Sequence, residues 1–152
     1  MIIDSHCHLT YEPMHSAINE TIKRANENGV EYMLTISTED KSFDNILNII
    51  NLHKCVYGSY GKQPHEDKKN KENKKEDKKR NKKKSKKIIG IGESGLDFYY
   101  NHSEKKDQIT SFNEHIAAAQ ETGLPLIIHT RSAEEETYEI LKKSLKEKRF
   151  KF

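Results

Sequence analysis

The stretch K-I-I-G-I-G-E-S-G-L-D-F-Y-Y, residues 87–100, decides the architecture, because an apolar run ends there on a lone carboxylate in a glycine-rich corner. Ile88, Ile89 and Ile91 predict a strand buried in a parallel sheet. The glycines at 90, 92 and 95 allow close backbone approach where the strand leaves its sheet. Glu93 is thus expected at the end of a strand, either as a solvated loop acid or as a carboxylate that bridges bound cations.

Outward from this stretch, apolar strand patterns alternate with amphipathic helix patterns. The strand patterns cover residues 1–9, 30–37, 55–60, 88–92 and 126–129, and the helix patterns cover residues 14–25, 43–50, 104–122 and 133–147. Thr38 or Ser42 is the expected cap of the second helix, and Gly123 is the expected stop of the third. The alternation predicts a parallel α/β fold, either a doubly wound sheet or a barrel. Both place an active site at the carboxyl ends of their strands.

One segment departs from this rhythm, a low-complexity basic tract over residues 67–87. It holds 13 of the 27 Lys and Arg residues and 4 of the 24 Asp and Glu residues, which gives it a net charge of +9. The other 131 residues carry −6. The tract stands where the alternation calls for a helix between the third and fourth strands, but it has no apolar stripe, so it is expected to be disordered or to form a solvated helix. A tolerated expansion, a non-specific DNA-phosphate contact and a nuclear-import patch are the three interpretations of its charge.

Cysteine content and hydropathy bound the class of protein. The two cysteines, Cys7 and Cys55, do not make a disulfide framework. The N-terminus has no basic region of the signal-peptide type, and no apolar run approaches the roughly 18 residues that span a membrane. A cytoplasmic protein without membrane contact is therefore expected, with a nuclear location through the basic tract as the alternative.

Histidines stand at two further strand ends. His6 and His8 are two residues apart, so strand alternation points both imidazoles the same way, together with Asp4. His129 ends the apolar run 125–128. Since strand ends of a parallel fold share one edge, these histidines and Glu93 form a candidate site for divalent ions. Metal-activated water would then attack an electrophile such as a phosphodiester.

Four ordered motifs resemble those of the TatD-type metal-dependent deoxyribonucleases of the amidohydrolase-like superfamily. They are D-S-H-C-H-L at 4–9, G-K-Q-P-H-E at 61–66, I-G-I-G-E-S-G-L-D-F-Y-Y at 89–100 and L-P-L-I-I-H-T-R-S-A at 124–133. The resemblance implies a TIM-type (β/α)8 barrel, of which this chain holds about the first five β/α units, with one helix replaced by the basic tract. It also implies one partial hydrolase domain over residues 1–152 that cleaves DNA.

The resemblance further implies a role for each matching residue. His6 and His8 would bind a first metal ion, His129 a second, and Glu93 would bridge the two, with Mg, Mn and Zn all open. His65 would lie near the scissile phosphate, and Arg131 would contact a phosphate. DNA is the expected substrate, and no protein partner is predicted.

The departures from the family pattern define the alternatives. Gln63 stands where the family has a histidine, and no counterpart is present for a later histidine and aspartate of the family's metal site. A truncated, catalytically incomplete fragment that binds nucleic acid through the tract is therefore one alternative. A relative that hydrolyses a small ester or amide is another.

The remaining polar residues receive structural roles. Asp97 is expected to anchor the corner by accepting backbone N–H bonds, Cys7 to point away from the histidine face, and the tyrosines at 99 and 100 to cover the mouth of the site. Four histidines are expected at ordinary surface or helix positions, namely His15, His53, His102 and His115.

Overall fold

A computed structural model of the chain describes residues 1–39, 42–64, 85–100, 102–148 and 150. It contains five strands, β1 (Ile2–Cys7), β2 (Val30–Thr35), β3 (Val56–Tyr60), β4 (Ile88–Asp97) and β5 (Leu126–Arg131). The helices are α1 (Ile18–Glu27), α2 (Phe43–Leu52), α3 (Lys105–Thr122) and α4 (Glu134–Glu147). Within the described ranges, no helix is long and apolar enough to cross a membrane.

The order of the strands decides between the two predicted architectures. All neighbouring strands pair in parallel, and the spatial order is β1-β2-β3-β4-β5. A doubly wound sheet would reverse its order at a switch point, whereas a (β/α) barrel adds each strand beside the previous one. The chain therefore forms a curled partial barrel of the TIM type.

The core lies between the strands and the helices that follow them. A first cluster packs α1 and α2 on β2 and β3 through residues such as Ile22, Met33, Ile46 and Val56. A second packs α3 against the end of β4 through Leu96, Phe112 and Ile116. Apolar side chains on the two outer strands are more exposed, with Ile2 and Ile3 above half exposed. This packing fixes the strands whose ends carry the candidate site.

One helix boundary and one helix cap differ from the sequence prediction. Residues 13–17 form turns, and α1 begins only at Ile18. The second helix does begin after Ser42, but the Ser42 side chain does not cap it, because its hydroxyl donates to the Glu39 carbonyl instead. At Gly123 the prediction is confirmed: this residue ends α3 in the left-handed region at φ 70°.

The end of the basic tract has a structural role. Residues 65–84, which include most of the tract, lie outside the described part of the chain. Lys87, its last residue, donates from Nζ to the carbonyls of Ile50 and His53 at 2.5 and 2.6 Å, which satisfies the C-terminus of α2. Burial lowers the pKa of the Lys87 ammonium. The prediction of a wholly solvated tract is therefore wrong at this residue.

Candidate metal centre

Side chains from β1 and β4 meet near the carboxyl edge of the sheet, although Glu93 lies inside β4 and not, as the sequence predicted, at its end. His6 is in β1, His8 is the first residue after β1, and Glu93 is in β4. One ligand atom from each of these three side chains lies within 4.8 Å of the others. The two imidazole centroids are 5.2 Å apart. This trio forms one side of the candidate centre, which we call the β1 side.

His129 approaches Glu93 from the opposite direction and forms the β5 side. Its Nδ1 lies 3.2 Å from Glu93 Oε1, whereas His6 Nε2 lies 3.6 Å from Glu93 Oε2. The carboxylate therefore presents one oxygen to each side. Such a two-sided carboxylate has the arrangement that bridging two cations requires.

Glu93 is buried yet surrounded by donors. Its side chain is 8% exposed, and Gln63 Nε2 donates to Oε2 at 3.0 Å. Burial alone would raise the pKa of the Glu93 carboxyl, but the hydrogen bonds from His129 and Gln63 outweigh it and hold the pKa below its usual value. The group is thus an anion in a largely enclosed position.

The β1 side holds a histidine that suits metal coordination. Burial lowers the pKa of His8, against the opposing effect of the Glu93 charge. Its Nδ1 is buried and has no hydrogen-bond partner among the described residues. A neutral imidazole with an unpartnered ring nitrogen is the form that binds a divalent metal ion. Tyr11 stacks on this ring at 5.1 Å and fixes its plane.

The β5 side is instead clamped by a carboxyl group on each nitrogen. His129 Nε2 lies 3.0 Å from Asp97 Oδ2, so each ring nitrogen faces a carboxylate oxygen. The hydrogen bond to Glu93 raises the pKa of His129 despite partial burial, and Asp97 adds to the effect. The imidazolium form is therefore favoured while no cation competes for the ring.

Asp97 has a larger role than its sequence predicts. Its Oδ1 accepts from the backbone N–H groups of Tyr99 and Tyr100, which confirms the expected corner anchor. The side chain is fully buried, and its Oδ2 also lies 3.9 Å from Arg131 Nε. Nothing in the local pattern indicates the contacts with His129 and Arg131, because both partners come from the next strand.

A network of buried hydroxyls positions the Glu93 peptide, and sequence analysis missed it. Ser37 accepts from the Glu93 N–H through its carbonyl at 3.0 Å, and its hydroxyl donates to Gly61 O at 2.8 Å. Ser59 Oγ donates to Gly92 O at 2.5 Å. A Cβ on Gly61 would lie 2.2 Å from the Gly92 carbonyl carbon, so only glycine permits this approach of the two chain segments. Runs of small residues at these strand ends are the only signal that the sequence offers.

Of the other candidate residues, one lies at the site, two make contacts elsewhere and one is outside the described residues. Arg131 lies at the β5 end, half-exposed beside Asp97. Asp4 accepts from the backbone N–H of His6 rather than from an imidazole. Cys7 packs toward the helices, as expected, and donates to Leu34 O. His65 lies outside the described residues.

His115 contradicts its predicted surface or unremarkable helix position. It is fully buried in α3, where its Nδ1 lies 2.8 Å from Ser111 O and its Nε2 accepts from the backbone N–H of Lys62 at 3.2 Å. Burial of the polar ring is satisfied by these two bonds. His115 thereby fixes the segment that carries Gln63 to the site.

A profile of the family described as TatD related DNase matches residues 3–152. A metal-dependent hydrolase of Buchnera aphidicola subsp. Baizongia pistaciae, named as uncharacterized, is 37% identical over 144 residues, which are 93% of this chain and 54% of that protein. The 3'-5' ssDNA/RNA exonuclease TatD of Erwinia amylovora is 30% identical over 125 residues, 82% of this chain and 48% of that protein. The chain thus spans about half the length of the curated relatives it matches.

A solved structure shows the same fold. The crystal structure of YjjV, a TatD homologue from Escherichia coli, superposes with a TM-score of 0.87 over 94% of this chain and 56% of its own chain. The two sequences are 24% identical. The partial barrel described above is therefore a TIM-type arrangement shared with that protein.

Proposed function

The chain belongs to the TatD-related DNase family of metal-dependent hydrolases, and from this premise we propose that it hydrolyses phosphodiester bonds of DNA. Single-stranded DNA is the proposed substrate, since one relative is named as a 3'-5' ssDNA/RNA exonuclease. The proposal concerns the whole protein and rests on the side chains that β1, β4 and β5 bring together.

The two-sided environment of Glu93 carries this proposal. Imidazoles lie on both sides of one buried anionic carboxylate, and His8 adds a buried ring nitrogen without a partner among the described residues. Nitrogen and carboxylate donors of this kind fit Zn and Mn, and Mg fits the oxygen donors. The donor set therefore fits divalent ions: His6 and His8 would hold one, His129 would hold another, and Glu93 would be a ligand of both.

Bound divalent ions would supply an activated water and polarise the phosphate. The residues of this chain hold that arrangement in place. Gln63 fixes Glu93 Oε2 through a hydrogen bond, and Asp97 fixes the ring of His129. Arg131, half-exposed at the rim, offers a guanidinium for a phosphate oxygen. His65 is proposed beside the scissile phosphate, as the family resemblance implies.

Hydrolysis of a labelled single-stranded oligonucleotide tests the proposal directly. The protein should cleave it when Mn²⁺, Mg²⁺ or Zn²⁺ is supplied and should lose cleavage in EDTA. His6→Asn should reduce the rate strongly. His15→Asn is the matched control, because its imidazole lies in a turn beside Glu12 and outside the site.

The outcomes separate the alternatives. Undiminished cleavage by His6→Asn would contradict the site assignment. Absence of cleavage with every ion, together with DNA binding lost on removal of residues 67–84, would favour a non-catalytic nucleic-acid-binding protein. Cleavage of a small ester or amide with DNA left intact would favour a small-molecule hydrolase.

A further inference from the structure

Aromatic rings gather beside the β5 side of the metal centre. The ring of Tyr99 lies 4.8 Å from that of Tyr100, at 89°, and Tyr100 is parallel to His102 with centroids 5.7 Å apart. Arg131 Cζ lies 5.1 Å from the Tyr100 centroid. Tyr100 is thus held between neighbours, and Tyr99 packs against it on one side.

Tyr99 presents an open aromatic surface. It is 64% exposed. In a perpendicular pair each ring covers at most one face of the other, so Tyr100 leaves at least one face of Tyr99 uncovered. A planar apolar surface of this kind, placed at the rim of a site, is suited to stacking against another flat ring.

The position of Tyr99 relative to the metal centre is fixed by Asp97. Its Oδ1 accepts from the Tyr99 N–H at 3.1 Å, while its Oδ2 lies 3.0 Å from His129 Nε2. The same buried carboxyl therefore holds both the proposed metal ligand and the backbone of the exposed ring.

The side chains of Tyr99, Tyr100 and Arg131, which form the rim of the site, favour a nucleobase as the group that stacks on Tyr99. Arg131 lies beside Tyr100 and is proposed to bind phosphate, so the rim combines a cation with aromatic faces. Surfaces that bind single strands use this combination, and every base offers a face for stacking. In a duplex the bases are stacked on one another and are not available to such a surface.

We propose that Tyr99, supported by Tyr100 and anchored through Asp97, is a stacking position for an unpaired base of single-stranded DNA. This inference rests on the proposed function, because the base is that of the nuclease substrate. It assigns selection of single strands to the end of β4 and makes Tyr99 a substrate-binding residue.

Fluorescence anisotropy in EDTA tests the inference without hydrolysis. The probes are a labelled oligothymidine, an abasic oligomer with the same number of phosphates, and a duplex of the same length. The protein should bind the oligothymidine about tenfold more tightly than the abasic oligomer, the order of effect that stacking of one base supplies. The duplex binds through its phosphates while its bases remain stacked on one another, so its affinity should be unchanged in Tyr99→Leu.

Variants locate the effect. Tyr99→Leu should bring the thymidine-to-abasic ratio close to one and leave abasic binding unchanged, whereas Tyr99→Phe should keep the ratio. Tyr138→Leu is the matched control, because Tyr138 is 57% exposed and also has a cation, Lys142, 5.1 Å from its ring. It should keep the ratio as well.

A ratio of one in the unaltered protein, or a ratio that survives Tyr99→Leu, would overturn the inference, as would failure to bind either oligomer. Hydrolysis of DNA with a ratio of one would leave the proposed nuclease and remove the stacking position. A ratio that depends on Tyr99 without hydrolysis would leave the stacking position and remove the proposed nuclease.

Discussion

The β1 and β5 sides of the candidate metal centre hold their histidines in opposite ways. On the β1 side, burial lowers the pKa of His8, and its Nδ1 lacks a partner among the described residues. On the β5 side, hydrogen bonding with Glu93 raises the pKa of His129, and each of its ring nitrogens faces a carboxylate. The first side therefore presents an unpartnered ring nitrogen to a cation, whereas at the second side a cation must displace the contact of His129 with Glu93.

This difference predicts the order in which the two sides bind cations. A cation at the β1 side meets ligand atoms of His6, His8 and Glu93 that already lie within 4.8 Å of one another. A cation at the β5 side displaces the contact of His129 with Glu93, so its binding competes with a proton. We expect the β1 side to fill first and the β5 side to fill only as the pH rises.

Glu93→Gln is expected to have the largest effect, since both sides depend on this carboxylate. It replaces one anionic oxygen with an amide nitrogen, which donates and does not ligate. Metal affinity measured by isothermal titration calorimetry should fall at least about 100-fold, because even loss of an outer-sphere partner costs roughly 10–100-fold. The control His15→Asn should keep the metal affinity of the unaltered protein. If Glu93→Gln kept it too, the two sides would not share Glu93.

Asp97→Ala is expected to lower the stability of the folded protein, because one buried carboxyl holds both His129 and the corner after β4. The fully buried carboxyl accepts two backbone N–H bonds and faces His129, so its loss should lower the free energy of unfolding by roughly 2–4 kcal/mol. Urea denaturation monitored by circular dichroism measures this change. The exposed carboxyl of Asp44, in the first turn of α2, gives a matched control that should lose less than about 1 kcal/mol. Equal losses in the two variants would contradict the clamp.

The two histidines should also give opposite dependences of stability on pH in the metal-free protein. The raised pKa of His129 contributes stability that is present below the unfolded value near 6.5 and is lost as pH rises through the folded pKa. The lowered pKa of His8 contributes stability that is present above that value and is lost as pH falls toward the folded pKa. Relative to the unaltered protein, His129→Asn should therefore lose more stability at pH 5 than at pH 8, whereas His8→Asn should lose less at pH 5 than at pH 8. The urea midpoints of the three proteins at these pH values measure the difference. Parallel shifts would contradict the contrast between the sides.

The smallest expected effect concerns the reactivity of the Cys7 thiol, which tests whether Cys7 and the two histidines lie on different faces of β1. Cys7 lies between His6 and His8 in sequence but packs toward the helices, and burial raises the pKa of its thiol to about 12. Its thiolate fraction near neutral pH should be roughly a thousandfold below that of a free cysteine with a pKa of about 8.5. Native Cys7, followed by mass spectrometry in Cys55→Ser, should resist iodoacetamide and react only after denaturation. Rapid native reaction would show that Cys7 shares the solvated face of the histidines.

The sequence alone predicted the order of the elements, but it ended β4 at residue 92 instead of Asp97 and did not predict the contacts between elements. Alternating apolar patterns located all five strands, and the His-x-His pair and the glycine-rich corner marked the edge where side chains meet. The same patterns left the sheet order open, because a doubly wound sheet and a barrel share this rhythm. Strand order emerged only from the pairing in three dimensions.

The residues that sequence analysis misjudged are those whose role depends on distant partners. His115 has no local signal, since its Lys62 partner is 53 residues away. Asp97 was predicted as a local anchor, and its second oxygen reaches His129 on the next strand. Gln63 was noted in the sequence only as a departure from the motif that the family resemblance implies, and its amide donates a hydrogen bond to Glu93. Long-range hydrogen bonds between polar groups leave little periodic trace in a sequence.

The number of metal ions bound as a function of pH tests the two-sided centre most directly. Isothermal titration calorimetry with Mn²⁺ at pH 6 and pH 8 would measure it for the unaltered protein and for His129→Asn. One ion at pH 6 and two at pH 8 are predicted for the unaltered protein, with one ion at both values for His129→Asn. The same stoichiometry at both pH values, unchanged in His129→Asn, would contradict a second cation between Glu93 and His129.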